Sequence, residues 1–151
     1  MFSGAHRAVL AVAVPITIAA ALADEGAAHF TAKGAYDDVK DSVVAAIEAR
    51  GLLVDRVAHV GEMLDRTAKD LGASRRVYEK AEVIEFCSAR VSRGMMEVDP
   101  RNLVYCPYTI AVYTLPGERG VVHLSYRRPP EAPGMRPVAE LLDAIAKEAT
   151  R

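Results

Sequence analysis

The stretch that decides the fold reads AEVIEFC over residues 81–87 and LVYCPYTIAVYTLPGERGVVHLSY over residues 103–126. In the first piece Ile84 and Phe86 alternate with Val83 and Cys87, the period of a strand with one face turned to a core. In the second, β-branched and aromatic residues run from Leu103 to Leu115, and Cys106, Tyr108, Ile110 and Val112 share one face. Pro116-Gly117-Glu118-Arg119-Gly120 is a turn cluster, and Val121 to Tyr126 returns as the partner strand of a hairpin. Between the two pieces, Ser88 to Val98 reads as a short helix closed by Asp99-Pro100.

The same grammar extends outward. His29 to Gly34 reads as a short first strand. Asp37 is an N-cap type residue, followed by Val39, Val43, Ala46 and Ile47 at helical spacing, with Gly51 past the end. Leu52 to Ala58 reads as a strand with Leu52, Val54 and Arg56 on one side and Leu53, Asp55 and Val57 on the other. Val60 to Leu71 repeats the helical pattern and Gly72 ends it. Towards the C-terminus, Pro129 to Pro137 reads as a linker, and Pro137 opens a last helix striped by Val138, Leu141, Leu142 and Ile145. Local hairpins with helices between them predict an α+β fold: a small antiparallel or mixed β-sheet with helices packed on one face. Val43, Ile47, Ile84, Phe86, Ile110, Val112 and Leu141 are the predicted core.

Residues 1–23 read as a signal peptide. His6 and Arg7 precede an uncharged run from Ala8 to Ala23, broken only by Thr17, that ends in the small-x-small site Ala21-Leu22-Ala23. The run is shorter than the roughly 20 residues that cross a bilayer comfortably, and Pro15 lies inside it. The expected organisation is therefore a signal peptide over 1–23, a single α+β domain over 24–128, and a Pro-rich linker with a C-terminal helix over 129–151. Cleavage near Ala23 predicts a periplasmic or secreted protein, touching a membrane only through the signal segment if that is retained.

Composition narrows the function classes. The 151 residues are 51% hydrophobic and 26% charged, which is globular composition. Nineteen basic against 20 acidic residues leave no basic excess for a general nucleic-acid binder. No Trp and two Cys exclude a disulfide-dense scaffold.

Six segments carry a resemblance. They are Tyr36-Asp37-Asp38-Val39, the IEARGLL of Ile47 to Leu53, Ile84 to Ala89, the EVDP of Glu97 to Pro100, Val104-Tyr105-Cys106-Pro107, and the IAVY of Ile110 to Tyr113. In order and spacing they resemble the bacterial and archaeal domain of unknown function 302 family, over roughly residues 30–128. The resemblance implies a compact α+β domain with helices on one side of a sheet, and a Cys at each of the positions held by Cys87 and Cys106. It implies no activity, and it leaves the signal segment and the C-terminal extension outside the shared domain.

Cys87 and Cys106 are the candidate redox or disulfide pair. If their strands are antiparallel neighbours, the Cα atoms lie about 4.5–5.5 Å apart, inside the disulfide window. A structural disulfide, a redox-active or ligand-binding thiol pair, and two buried free thiols all remain open. The helix start after Cys87 favours its thiolate and nominates it as the reactive thiol, with Cys106 resolving. There is no Cys-x-x-Cys, so a thioredoxin-type reading has no support. A sharper variant adds Met95, Met96 and His59 to the two Cys, a ligand set that suits copper or another soft metal. Against it, paired Met residues usually fill core gaps, and His59 stands at a helix start. No cofactor is otherwise expected. Glu82 and Glu85 alternate to opposite faces of one strand and make no acid–base pair.

The leading expectation is an exported small binding domain with its site near the Cys87/Cys106 end of the sheet, for a small ligand or a partner protein. The alternative is a thiol-dependent redox or sulfur-transfer protein using the same pair. A sheet edge or helix face also suits a homodimer.

Overall fold

The computed structural model describes residues 26–151, so the signal segment expected over 1–23 lies outside the described residues. The elements are β1 (Ala27–Lys33), α1 (Tyr36–Glu48), β2 (Val54–Ala58), α2 (Val60–Thr67), β3 (Lys80–Phe86), α3 (Ala89–Val98), a 3-10 turn (Pro100–Tyr105), β4 (Tyr108–Thr114), β5 (Val121–Arg127) and α4 (Arg136–Ala149). The five strands form one sheet in the order β1-β5-β4-β3-β2. Every pairing is antiparallel, so the predicted α+β class holds and the sheet is the antiparallel of the two alternatives.

Alternation in the strands sets the layers. Ile84, Phe86, Tyr108, Ile110, Val112, Val122, Leu124 and Tyr126 are buried on one face. Against that face pack α1, through Val39, Val43, Ala46 and Ile47, and α4, through Val138, Leu142, Ile145 and Ala146. Of the predicted core, Val43, Ile47, Ile84, Phe86, Ile110 and Val112 are at 0% exposure. Leu141 only flanks the core, because Leu142 takes the inward position of its helix. The stripe of α4 belongs to the same core as the strands, so the domain runs on through residue 149 instead of closing at 128.

Three boundaries depart from the sequence reading. The strand expected from Leu103 begins at Tyr108. Asp99 caps a 3-10 turn by accepting from the Arg101 N–H at 2.9 Å, Pro100 sits in its first turn, and Pro107 has no N–H to give a ladder. The β2 register shifts between Val54 and Arg56. That bulge sets Val54 opposite Phe86 and Val57 opposite Ile84, both on the core face, where strict alternation separated them. Finally, α2 ends at Thr67 and buries no residue, since its apolar side meets only the edge of the sheet. It occupies the edge that β2 leaves open: a Cβ on Gly61 would stand 2.9 Å from the Ala81 backbone nitrogen.

Candidate functional site

Cys87 follows β3 directly, and Cys106 precedes the cis Cys106–Pro107 bond that leads into β4. Phe86 pairs with Tyr108 across the two strands, so the ladder delivers both cysteines to one end of the sheet. Both are half-buried free thiols, and Cys106 is among the groups that shape the electrostatics of Cys87.

A hydroxyl chain meets the pair from α3. Ser88 caps that helix by accepting from the Val91 N–H at 3.3 Å. One turn later, on the same side, Ser92 is buried. Its Oγ donates to Cys106 Sγ at 3.9 Å and lies 2.9 Å from Tyr108 Oη. Tyr108 Oη in turn reaches Met95 Sδ at 3.9 Å. Buried Asn102 donates to the Met95 carbonyl at 2.9 Å and holds the 3-10 turn against the end of α3.

Electrostatics separates the two sulfurs. Burial, reinforced by the hydrogen bond to Cys106 and by negative charge at Cys106 and Asp55, pushes the Cys87 thiol up to about 12. The Tyr108 backbone N–H opposes this without prevailing. The helix start after Cys87, expected to favour its thiolate, is capped by Ser88, and burial raises the Cys87 thiol instead. Burial thus keeps Cys87 protonated. The Ser92 hydroxyl stands as a donor beside Cys106, a contact suited to a nucleophilic sulfur.

The wider soft-metal set does not assemble. Met95 is buried, with its thioether 3.9 Å from the Tyr108 phenol, and Met96 packs against the core. His59 stands at the N-cap of α2, where its Nδ1 is 2.6 Å from Glu82 Oε1. Glu82 is five residues from Cys87 along β3, about 17 Å at strand rise, so His59 lies at the opposite end of the sheet. Among the described residues no group of three or more His, Cys, Asp or Glu could hold a metal ion.

Sequence reasoning missed a charged cluster at that far end. Glu82 accepts from Tyr36 Oη at 3.0 Å and from Lys40 Nζ at 3.5 Å as well as from His59. It lines a cleft of about 210 Å³ between α1, α2 and β3. Burial first, then Glu82, drives the Tyr36 hydroxyl far above its usual range, so Tyr36 acts only as a donor. With its oxygens engaged from α1 and from the N-cap of α2, Glu82 is an anchor tying both helices to β3. Ser92 was missed as well, although its i+4 spacing from the Ser88 cap was a readable signal.

A second cleft, of about 180 Å³, is lined among others by Arg127 and by Tyr105 and Pro107, the chain neighbours of Cys106, which is not itself in the lining.

The family model for Domain of unknown function DUF302 matches residues 28–151, so the C-terminal helix falls within the shared region. The fold is similar to the crystal structure of an uncharacterized conserved DUF302 protein from Bacillus stearothermophilus. The TM-score is 0.65 at 14% identity, over 83% of this chain and 98% of that one. No curated protein matches the chain.

Proposed function

We propose that this chain, which belongs to the DUF302 family, carries a dithiol–disulfide exchange site in which Cys106 attacks and Cys87 resolves. The observation that carries this reading is two free thiols delivered to one end of the β3–β4 ladder, with the Ser92 hydroxyl donating to Cys106 at 3.9 Å. The ligand of the binding domain is then a molecule bearing a disulfide.

The exchange balances without an added cofactor. Cys106, having released its proton to solvent, attacks one sulfur of RSSR, forms a mixed disulfide and expels RS⁻, which is protonated. Cys87 then gives up its proton, and its sulfur attacks Cys106 Sγ and releases the second RSH. Two electrons pass from the pair to RSSR, leaving the Cys87–Cys106 disulfide. The signal peptide read from residues 1–23 of the sequence is consistent with this reading, because an exported protein would meet oxidised partners outside the cytosol.

The test is thiol mapping of the reduced protein by alkylation and mass analysis. Cys106 should react first at neutral pH. The Cys87→Ser variant should keep that fast thiol, and the Cys106→Ser variant should leave only a slow one. Equal alkylation of both cysteines only after unfolding would refute the proposal.

A further inference from the structure

The cleft beside Cys106 has walls but no part in the exchange just described. Tyr105 and Pro107, the chain neighbours of Cys106, stand in its lining with Val104, Pro129 and Leu142. Among the described residues Arg127 is the one charged residue that lines it. Among the described residues no carboxylate pairs with this guanidinium and nothing accepts its hydrogen bonds. The β4–β5 register, which sets Ala111 opposite Ser125, puts Arg127 level with Thr109, three residues along the chain from Cys106. Arg127 is exposed, so its unpaired guanidinium is open to an anion entering the cleft. Its planar fork matches a carboxylate in two hydrogen bonds. The volume of about 180 Å³ holds about six waters at liquid density, the bulk of a small mercapto acid.

We propose that this cleft is the substrate pocket and takes low-molecular-weight disulfides and thiols that carry a carboxylate, with the carboxylate on Arg127 and the sulfur at Cys106. The inference rests on the dithiol reading and names the substrate class for it. It makes the charge of the small disulfide the selected property.

The experiment oxidises the reduced protein with three small disulfides: 3,3′-dithiodipropionate, which is anionic; bis(2-hydroxyethyl) disulfide, which is neutral; and cystamine, which is cationic. Rates are read as loss of free thiol by mass. The anionic disulfide should oxidise the pair about tenfold faster than the cationic one, and added salt should shrink the gap. Arg127→Gln should abolish the preference and Arg127→Lys should keep part of it. Arg136→Gln, at an exposed position paired with Glu140, should change nothing. No charge preference in the wild type, or an equal preference in Arg127→Gln, would overturn the pocket assignment while leaving the exchange site standing. If none of the three disulfides oxidises the folded protein, the exchange reading itself falls, and the pocket assignment with it.

Discussion

Ser92→Ala tests the hydroxyl chain that separates the roles of the two cysteines. The substitution removes an oxygen that lies 2.9 Å from Tyr108 Oη and 3.9 Å from Cys106 Sγ. Tyr108 is buried, so its phenol is left with only the long contact to Met95 Sδ at 3.9 Å. Orphaning a buried hydroxyl costs about 1–3 kcal/mol, and Ala in place of Ser inside a helix returns about 0.5. A net loss of about 1–2 kcal/mol follows, or roughly 3–8 °C in Tm for a domain of this size. Tyr108→Phe on the Ser92→Ala background removes the orphan, so the double variant should be more stable than the sum of the two single losses by about 1 kcal/mol. The second consequence is chemical. Cys106 loses the Ser92 donor, and a neutral hydrogen bond to the reacting sulfur contributes about 1 kcal/mol, so alkylation at pH 7 should slow about fivefold. Denaturant unfolding reads the first effect and iodoacetamide kinetics the second. Wild-type stability together with wild-type alkylation would show that the hydroxyl is not on Cys106, and would refute the reasoning. A stability loss with unchanged kinetics would confine Ser92 to packing.

Other expectations rest on separate parts of the molecule. Phe86 is at 0% exposure and edge-to-face with Tyr108 at 5.8 Å, so Phe86→Ala should cost about 3–5 kcal/mol by denaturant unfolding; an unchanged midpoint would contradict the core face of β3. Gly61→Ala sets a methyl 2.9 Å from the Ala81 backbone nitrogen, which cannot swing aside, and should destabilise by about 1–3 kcal/mol in a thermal melt. Stability of the reduced protein should fall as pH rises from about 9 to about 12, because Cys87 is raised from 9.0 to about 12 on folding and the unfolded chain releases that proton first. Below pH 9 the thiol is protonated in both states and adds no slope; Cys87→Ala lacks this component while keeping Tyr36, and parallel curves for the two proteins would count against it. Protein recovered from an exported fraction should begin at Asp24 by intact mass, against a chain beginning at Met1 in washed membranes.

What was legible in the sequence follows from how local each signal is. The core faces of β3 and β4 were readable because alternation is a property of adjacent residues, and Ile84, Phe86, Ile110 and Val112 are all at 0% exposure. The bulge at Asp55 was not, since it is decided by which β3 residue each β2 residue meets. The start of β4 was misread because Leu103 and Val104 have strand-like side chains but lie in a 3-10 turn, 63% and 74% exposed. Backbone chemistry at Asp99, Pro100 and Pro107 prevails over side-chain propensity there. The site was legible as a pair of cysteines and illegible as an ordered pair. Helix polarity is read from neighbours in sequence, whereas the desolvation and donors that rank Cys87 and Cys106 come from α3, β4 and β2 together. The cluster around Glu82 escaped for the same reason: Tyr36, Lys40 and His59 come from two separate segments and meet a third.

The topology also explains why the two thiols face each other at all. Strands β3 and β4 are antiparallel neighbours, but no tight turn joins them; residues 87–107 make an excursion through α3 and the 3-10 turn. The ends of any excursion between paired strands must return to within a strand spacing of each other, and here those ends carry Cys87 and Cys106. The ladder from Lys80↔Thr114 to Phe86↔Tyr108 fixes that approach without help from a disulfide. Forming or breaking the bond therefore need not move the sheet. Its effect falls on the excursion, where Ser92 and Met95 are held by hydrogen bonds to Tyr108 at 2.9 and 3.9 Å. A thiol pair whose spacing is set by the sheet and whose donors sit on the excursion can change oxidation state at small structural cost, which is what an exchange site requires and a purely structural staple does not.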